Sequence, residues 1–197
     1  MTALAISNIL LWVAVLALLV IVLALIRQLG VLHERIAPAG ALMLNRGLQV
    51  GERAPMIDVQ DLEGRALRIG EPRADGRSTL LVFVSPTCPV CKSLLPVVKS
   101  GRRQEQDWLE VILASDGELE QQRQFVREQN LSELPFVVSA PLGIAYQVSR
   151  LPFAALVDPA GTLRARGLVN SREHLESLFE AQRLGVASLQ EYFASRA

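Results

Sequence analysis

The chain has 197 residues and no formal net charge, because 20 basic side chains balance 20 acidic ones. The absence of any basic run argues against a nucleic acid partner, which requires a concentrated positive surface. The two cysteines cannot form the disulfide framework of a small secreted domain, although they can form one bridge.

The first 26 residues carry no charged side chain, and Ala3–Ile26 is apolar apart from two polar residues. As a helix this segment would rise about 36 Å, which is enough to cross a bilayer. A cleaved signal peptide would need a basic start and a nearby A-x-A site, and neither occurs. We therefore predict a transmembrane anchor at residues 1–26. The arginines that follow it, Arg27 and Arg35, favour a cytoplasmic domain by the positive-inside rule, but long domains escape that rule.

The residues after the anchor divide into a linker and one domain. Residues 27–49 are amphipathic and are interrupted by Gly30, Pro38 and Gly40, so we predict a juxtamembrane linker there. Residues 50–197 contain no internal repeat and no low-complexity run, which is typical of a single domain.

Apolar runs of strand length alternate with segments of helical period in this domain. Two continuous apolar runs, Leu80–Val84 and Leu109–Ala114, are typical of strands buried on both faces. A helix between them, at Cys88–Arg103, completes a strand–helix–strand unit, whose strands are parallel. The other predicted elements are a helix at Glu118–Gln129, strands at Phe136–Val138, Phe153–Val157 and Thr162–Ala165, and a helix at Arg172–Leu184. The sequence therefore predicts an α/β fold with a mixed sheet and helices on both faces.

The segment S-P-T-C-P-V-C-K follows the first buried strand and opens the first helix. Cys88 lies near the N-cap of that helix, and Pro89 occupies the first helical position, where its missing N–H costs nothing. The positive helix end favours the thiolate form of Cys88. Cys91 lies one helical turn further on and can resolve a mixed disulfide, with Pro89 and Val90 forming the loop between the two cysteines.

Two other interpretations of the cysteine pair remain. A zinc site would need two more ligands, and the only histidines are His33, beside the apolar segment, and His174, near the last helix. An inert structural disulfide is the second alternative, although a two-residue loop at a helix start is strained and accessible. We predict no metal and no cofactor other than a redox-active disulfide between Cys88 and Cys91. These two cysteines are the predicted catalytic residues.

The order of a strand, the C-P-V-C segment, a helix, a strand, a helix and then L-P-F before a hairpin resembles the thioredoxin fold. The resemblance implies that Pro152 is the cis proline facing the dithiol and that Leu151 presents its backbone to a substrate strand. An ordinary proline at the start of a strand is the alternative. Pro96 matches the proline that kinks the corresponding helix of thioredoxins.

The opening G-E-R-A-P-M-I-D-V-Q-D-L-E-G of the domain, the apolar N-terminus, the length and the C-P-V-C motif resemble the methylamine dehydrogenase accessory proteins of the MauD type. The resemblance covers essentially the whole chain. It implies a single-pass protein of the bacterial inner membrane with a periplasmic domain. Its expected partners are the membrane, other maturation factors and a cysteine-containing protein substrate, the disulfide-rich small subunit of methylamine dehydrogenase.

Two positions depart from related reductases. Thioredoxins carry a buried acid where this chain has Val82, and tethered reductases of the cytochrome c maturation type often carry a glutamate where it has Leu94. Because resolution requires a deprotonated Cys91, the missing acids favour an oxidase or isomerase over a disulfide reductase. A non-catalytic assembly chaperone remains an alternative. A peroxidase is disfavoured, because Leu81 stands where a peroxiredoxin loop has proline.

Overall fold

The computed structural model describes residues 6, 8, 10–22 and 48–184, and the chain divides into two compact units between residues 45 and 46. Among the described residues no helix is both long and apolar enough to cross a membrane. The predicted localisation, a single-pass inner-membrane protein with a periplasmic domain, is therefore wrong. The rest of the predicted anchor, and residues 27–47 of the predicted linker, lie outside the described residues.

A five-stranded mixed sheet organises the second unit. Its strands are β3 (Ser78–Phe83), β4 (Leu109–Ser115), β5 (Phe136–Val138), β6 (Phe153–Val157) and β7 (Leu163–Leu168). They lie in the order β5-β4-β3-β6-β7, in which β5, β4 and β3 are mutually parallel, whereas β6 and β7 are antiparallel to their neighbours. The mixed α/β fold predicted from the sequence is confirmed.

Three helices connect these strands, namely α1 (Pro89–Gln104), α2 (Leu119–Glu128) and α3 (Ala140–Ala145), and a fourth helix, α4 (Arg172–Leu184), follows β7. The limits of β5, β6 and α4 match the sequence prediction. In contrast, β3 lies slightly earlier than predicted, and β7 continues beyond Ala165 to Leu168. Strand β7 extends because its backbone keeps pairing with β6 as far as Phe153.

The sequence analysis missed the antiparallel hairpin of β1 (Ile57–Gln60) and β2 (Ala66–Ile69), and also the short helix α3. Each hairpin strand has only four residues and is largely exposed, so its apolar pattern is too short to recognise. Helix α3 has six residues and contains Pro141 and Gly143, which are more typical of loops.

Alternate side chains of β3 enter two different apolar clusters. Leu80 and Val82 belong to the cluster that includes the buried side chains of α1, α2 and α4. Leu81 and Phe83 belong to the cluster that includes Leu142 of α3 and residues of the β1–β2 hairpin. Helices therefore lie on both faces of the sheet, as predicted, but three of them share one face.

The register of the sheet determines which loops meet. Because β3 and β4 are parallel, their carboxyl ends lie at the same edge of the sheet. Phe83 at the end of β3 pairs with Phe153 at the start of β6, so the entry to β6 lies at that edge as well. The cysteine segment, the turn after β4 and Leu151–Pro152 therefore lie at one end of the sheet.

Candidate redox site

Cys88 is the N-cap residue of α1. Its backbone is extended, with φ −94° and ψ 109°, and its sulfur accepts a hydrogen bond from the Cys91 N–H at 3.1 Å. Pro89 occupies the first turn, as the sequence indicated. The sulfur therefore lies at the positive end of a 16-residue helix, where unpaired backbone N–H groups favour negative charge.

A disulfide bond joins Cys88 to Cys91, whose Cα atoms are 5.2 Å apart. The two sulfurs differ in accessibility, because Cys88 is half-buried whereas Cys91 is 0% exposed. An external thiolate can therefore approach only the Cys88 sulfur, which makes Cys91 the leaving group in the first step of exchange.

The loop before Cys88 is held by hydroxyl groups. The hydroxyls of Ser85 and Thr87 are 3.0 Å apart, and the Thr87 N–H donates to the Ser85 hydroxyl oxygen at 3.3 Å. The Cys88 N–H donates to the Ser85 carbonyl at 3.1 Å. These bonds fix the chain between the end of β3 and the N-cap, so they also fix the position of the exposed sulfur.

The peptide bond between Leu151 and Pro152 is cis, the conformation that the thioredoxin resemblance implied. Pro152 is buried, and its carbonyl accepts the Val169 N–H at 3.1 Å. Leu151 remains 36% exposed and lines a cleft of about 590 Å³ together with Cys88. The structure thus brings Leu151 and Cys88 to one cavity, whereas Pro89 and Val90 are exposed and do not line it.

Aromatic side chains support the strand ends beneath this cleft. The ring of Phe83 lies 6.1 Å from that of Tyr146 and 6.3 Å from that of Phe153. The Arg166 guanidinium lies 5.3 Å from the centre of the Phe153 ring, and burial lowers the pKa of that arginine. Burial also raises the pKa of Tyr146, whose hydroxyl donates to the Pro55 carbonyl at 3.2 Å.

The surroundings of Cys91 are apolar. Val82 is 0% exposed and Leu94 is 2% exposed, and both belong to the same buried cluster as Cys91. The two positions at which the sequence analysis expected acids in related reductases therefore lie in the same buried cluster as Cys91. Pro96 lies inside α1, as expected, and is exposed.

Metal binding was one alternative for the cysteines. Within the part of the chain that the structure describes, no three histidine, cysteine or acidic side chains are grouped to hold an ion. His174 is exposed on α4, and His33 lies outside the described residues.

The sequence analysis did not identify the rest of the cleft lining. These residues come from the ends of three strands and from α3, and they include Ser115, Asp116, Ser139, Gly143, Ile144 and Arg150. Ser115, Asp116 and Ser139 could have been predicted at this end of the sheet, because they directly follow the ends of predicted strands. Ile144 could not be placed, because α3 was not predicted.

Solved structures of similar fold include the thioredoxin domain of a thiol-disulfide oxidoreductase from Bacteroides vulgatus. It has a TM-score of 0.59 and 20% identity, covering 68% of this chain and 98% of that one. The exposed lipoprotein thioredoxin of Streptococcus pneumoniae has a TM-score of 0.56 and 19% identity, with coverages of 64% and 99%. These likenesses establish a thioredoxin-like fold. That fold and the Cys88–Cys91 pair at the start of α1 define a thioredoxin-like thiol–disulfide oxidoreductase.

Relatives that match over nearly the whole chain identify the family within this class of oxidoreductases. The methylamine utilization protein MauD of Paracoccus denitrificans is 50% identical over 190 residues, covering 96% of this chain and 94% of the relative. The MauD of Paracoccus versutus is 48% identical over 196 residues, with coverages of 100% and 98%. The chain belongs to the MauD family of methylamine utilization proteins. No protein-family model matches it.

Proposed function

We propose that this protein is an oxidase or isomerase that forms and corrects disulfide bonds in the small subunit of methylamine dehydrogenase. Its membership of the MauD family supports a role in methylamine utilization. The observation that carries the proposal is the asymmetry of the cysteine pair, in which an accessible Cys88 caps a helix and Cys91 is fully buried.

Formation of one disulfide in a substrate takes two exchange steps. A substrate thiolate attacks the Cys88 sulfur, the Cys88–Cys91 bond breaks, and Cys91 leaves as a thiolate that takes up a proton. A second substrate thiolate then attacks the substrate sulfur of the mixed disulfide, and Cys88 leaves as a thiolate. The substrate is oxidised by two electrons and the cysteine pair is reduced by two, so an external disulfide must reoxidise the pair.

The helix N-terminus favours this direction. It stabilises the Cys88 thiolate, which makes Cys88 a better leaving group in the second step and raises the reduction potential of the pair. The apolar side chains of Val82 and Leu94 provide no proton acceptor for Cys91. A group that accepts the Cys91 proton during substrate reduction also donates it when Cys91 leaves during substrate oxidation, so its absence affects the rate in both directions. The direction therefore follows from the stabilised Cys88 thiolate.

Trapping the mixed disulfide tests the proposal. The Cys91→Ser variant, produced together with methylamine dehydrogenase, should accumulate an adduct between Cys88 and the small subunit that thiol reductants release. The matched Cys88→Ser variant should form none, because its remaining thiol is buried. If Cys91→Ser traps other proteins but not the small subunit, the proposed substrate is wrong. If both cysteines can be replaced without loss of mature enzyme, the non-catalytic alternative is correct.

A further inference from the structure

Gln122 is a buried polar residue that the redox site does not explain. It lies on α2 and is 1% exposed, and the only other buried residue of that helix is Phe125. Its side-chain Nε2 donates to the Asp116 carbonyl at 2.6 Å, whereas its Oε1 is buried and has no hydrogen-bond partner among the described residues. A buried amide oxygen without a partner destabilises the fold by about 1–3 kcal/mol. We therefore expect the one hydrogen bond of this side chain, to the Asp116 carbonyl, to have a role in positioning the residues around Asp116.

The bond to Asp116 holds a turn that lines the cleft beside Cys88. Ser115 and Asp116 both belong to the cleft lining, and Gly117 follows with φ +95°, a conformation that favours glycine. The Ser115 carbonyl also accepts the Ser139 N–H at 2.9 Å, which links the turn to the N-cap of α3. Gln122 therefore supports one part of the cleft from beneath.

The geometry of disulfide exchange determines what enters the cleft. In a mixed disulfide the Cα of the substrate cysteine lies about 4.4–6.8 Å from the Cα of Cys88. The neighbouring substrate residues, at about 3.3 Å each when extended, must then pass along the cavity that Cys88 lines. The cavity volume of about 590 Å³ is within the range of sites that bind side chains.

The cleft is suited to an apolar side chain beside the substrate cysteine. Ile144 of α3 is 77% exposed, and Leu151 is 36% exposed in the same lining. Exposed apolar side chains grouped in a cavity typically mark a binding surface. Asp116 and Arg150 add one negative and one positive side chain to this lining.

We propose that the 115–117 turn shapes the part of the cleft in which Ile144 and Leu151 contact an apolar segment flanking the substrate cysteine, and that Gln122 is the positioning residue of this turn. This inference rests on the proposed exchange at Cys88 and adds the class of segment that is recognised. Loss of the Gln122 bond should displace the turn and weaken peptide recognition, while the chemistry at the sulfur stays the same.

The test uses the full chain with Cys91→Ser, so that Cys88 is the only reactive thiol. The peptide probe has seven residues, with a central cysteine between two leucines, and its cysteine is joined to thionitrobenzoate by a disulfide. Cys88 displaces thionitrobenzoate, which leaves as a coloured thiolate, and a Cys88–peptide disulfide forms. Ellman's reagent, which releases the same thiolate but carries no peptide, reports the intrinsic reactivity of Cys88.

Gln122→Leu should lower the rate constant for the peptide about fivefold, which corresponds to about 1 kcal/mol. The rate with Ellman's reagent and the pH at which Cys88 ionises should stay unchanged. The matched control is Gln182→Leu on α4, since Gln182 also has a buried Oε1 without a hydrogen-bond partner in the described part of the chain but does not line the cleft. That control should leave both rates unchanged.

Gly117→Ala disturbs the same turn through its backbone and should reproduce the selective loss if Gln122→Leu does not fold. The inference is overturned if the peptide rate is unchanged in the folded variants, or if both probes slow equally. Failure of the Cys91→Ser chain with Gln122 and Gly117 intact to react with Ellman's reagent would instead contradict the proposed exchange at Cys88.

Discussion

Introducing a positive or a negative side chain at Val90 measures how strongly local electrostatics control the reduction potential of the Cys88–Cys91 pair. Val90 lies between the two cysteines, is 44% exposed and does not line the cleft, so it tolerates polar substitution. A lysine there should stabilise the Cys88 thiolate, lower its pKa and raise the reduction potential, because the reduced form is stabilised. A glutamate should produce the opposite shift.

The magnitude follows from Coulomb's law. A charge about 7 Å from the Cys88 sulfur, at an effective dielectric constant of about 40–80, interacts with the thiolate by about 0.6–1.2 kcal/mol. This energy corresponds to about 0.4–0.9 pKa units and to about 13–26 mV for a two-electron couple. Val90→Lys and Val90→Glu should therefore differ by about 25–50 mV at low ionic strength, and salt should reduce the difference.

The assay is a redox titration of the full chain against glutathione, with alkylation to separate the oxidised and reduced forms. Val90→Gln is the neutral control and should stay close to the unsubstituted protein. If lysine and glutamate shift the potential in the same direction, or if glutamine shifts it as far as either, then thiolate electrostatics do not control the pair.

Three further predictions concern stability and thiol reactivity. Gly70→Ala should destabilise the domain by about 3 kcal/mol in urea unfolding, because the new Cβ would lie 2.3 Å from the Pro55 carbonyl oxygen at φ +83°. Asp61→Asn should cost about 1–2 kcal/mol at pH 7, since the Asp61 carboxylate accepts three hydrogen bonds from the turn that joins β1 to β2. Burial opposes ionisation of Asp61, but these bonds outweigh it and lower its pKa, so the stabilisation is present above about pH 4 and is lost as the pH falls further. In the reduced chain, iodoacetamide should alkylate Cys88 before Cys91, because Cys91 is fully buried.

Each of these three predictions has a control variant or a result that would contradict it. Gly143→Ala has open space around its Cβ and lies in a helix, so it should leave stability unchanged or raise it by about 0.5–1 kcal/mol. An equal loss at Gly70 and Gly143 would show that close approach is not the cause. An Asp61→Asn cost that stays constant down to pH 2 would contradict the role of its charge. Earlier alkylation of Cys91 would contradict the assigned order of the thiols.

Strong local patterns made much of the fold predictable from the sequence. The apolar run at Phe153–Val157 and the capped, amphipathic segment at Arg172–Leu184 match the observed limits of β6 and α4. The β1–β2 hairpin and α3 were missed because their elements have only four to six residues and gain their stability from packing on the sheet.

The candidate site likewise has one part that local sequence predicts and another part that depends on the tertiary fold. The position of Cys88 at a helix start follows from local sequence, because a strand, a cysteine and a proline at the first helical position occur in order. The contribution of Asp116 and Ile144 to the same cleft depends on the strand order β5-β4-β3-β6, which no local pattern specifies. The role of Gln122 could not be predicted from the sequence for the same reason, since it depends on the hydrogen bond to the turn at Asp116.

The reduction potential of the unsubstituted full chain, measured by equilibration with glutathione, tests the central claim most directly. An accessible Cys88 at a helix N-terminus predicts an oxidising pair, because the helix end stabilises the thiolate of the reduced form. We expect a potential above about −220 mV, close to the value of about −180 mV that is typical of disulfide isomerases. A potential near that of thioredoxin, about −270 mV, together with efficient reduction of insulin, would contradict the oxidase or isomerase assignment and indicate a reductase.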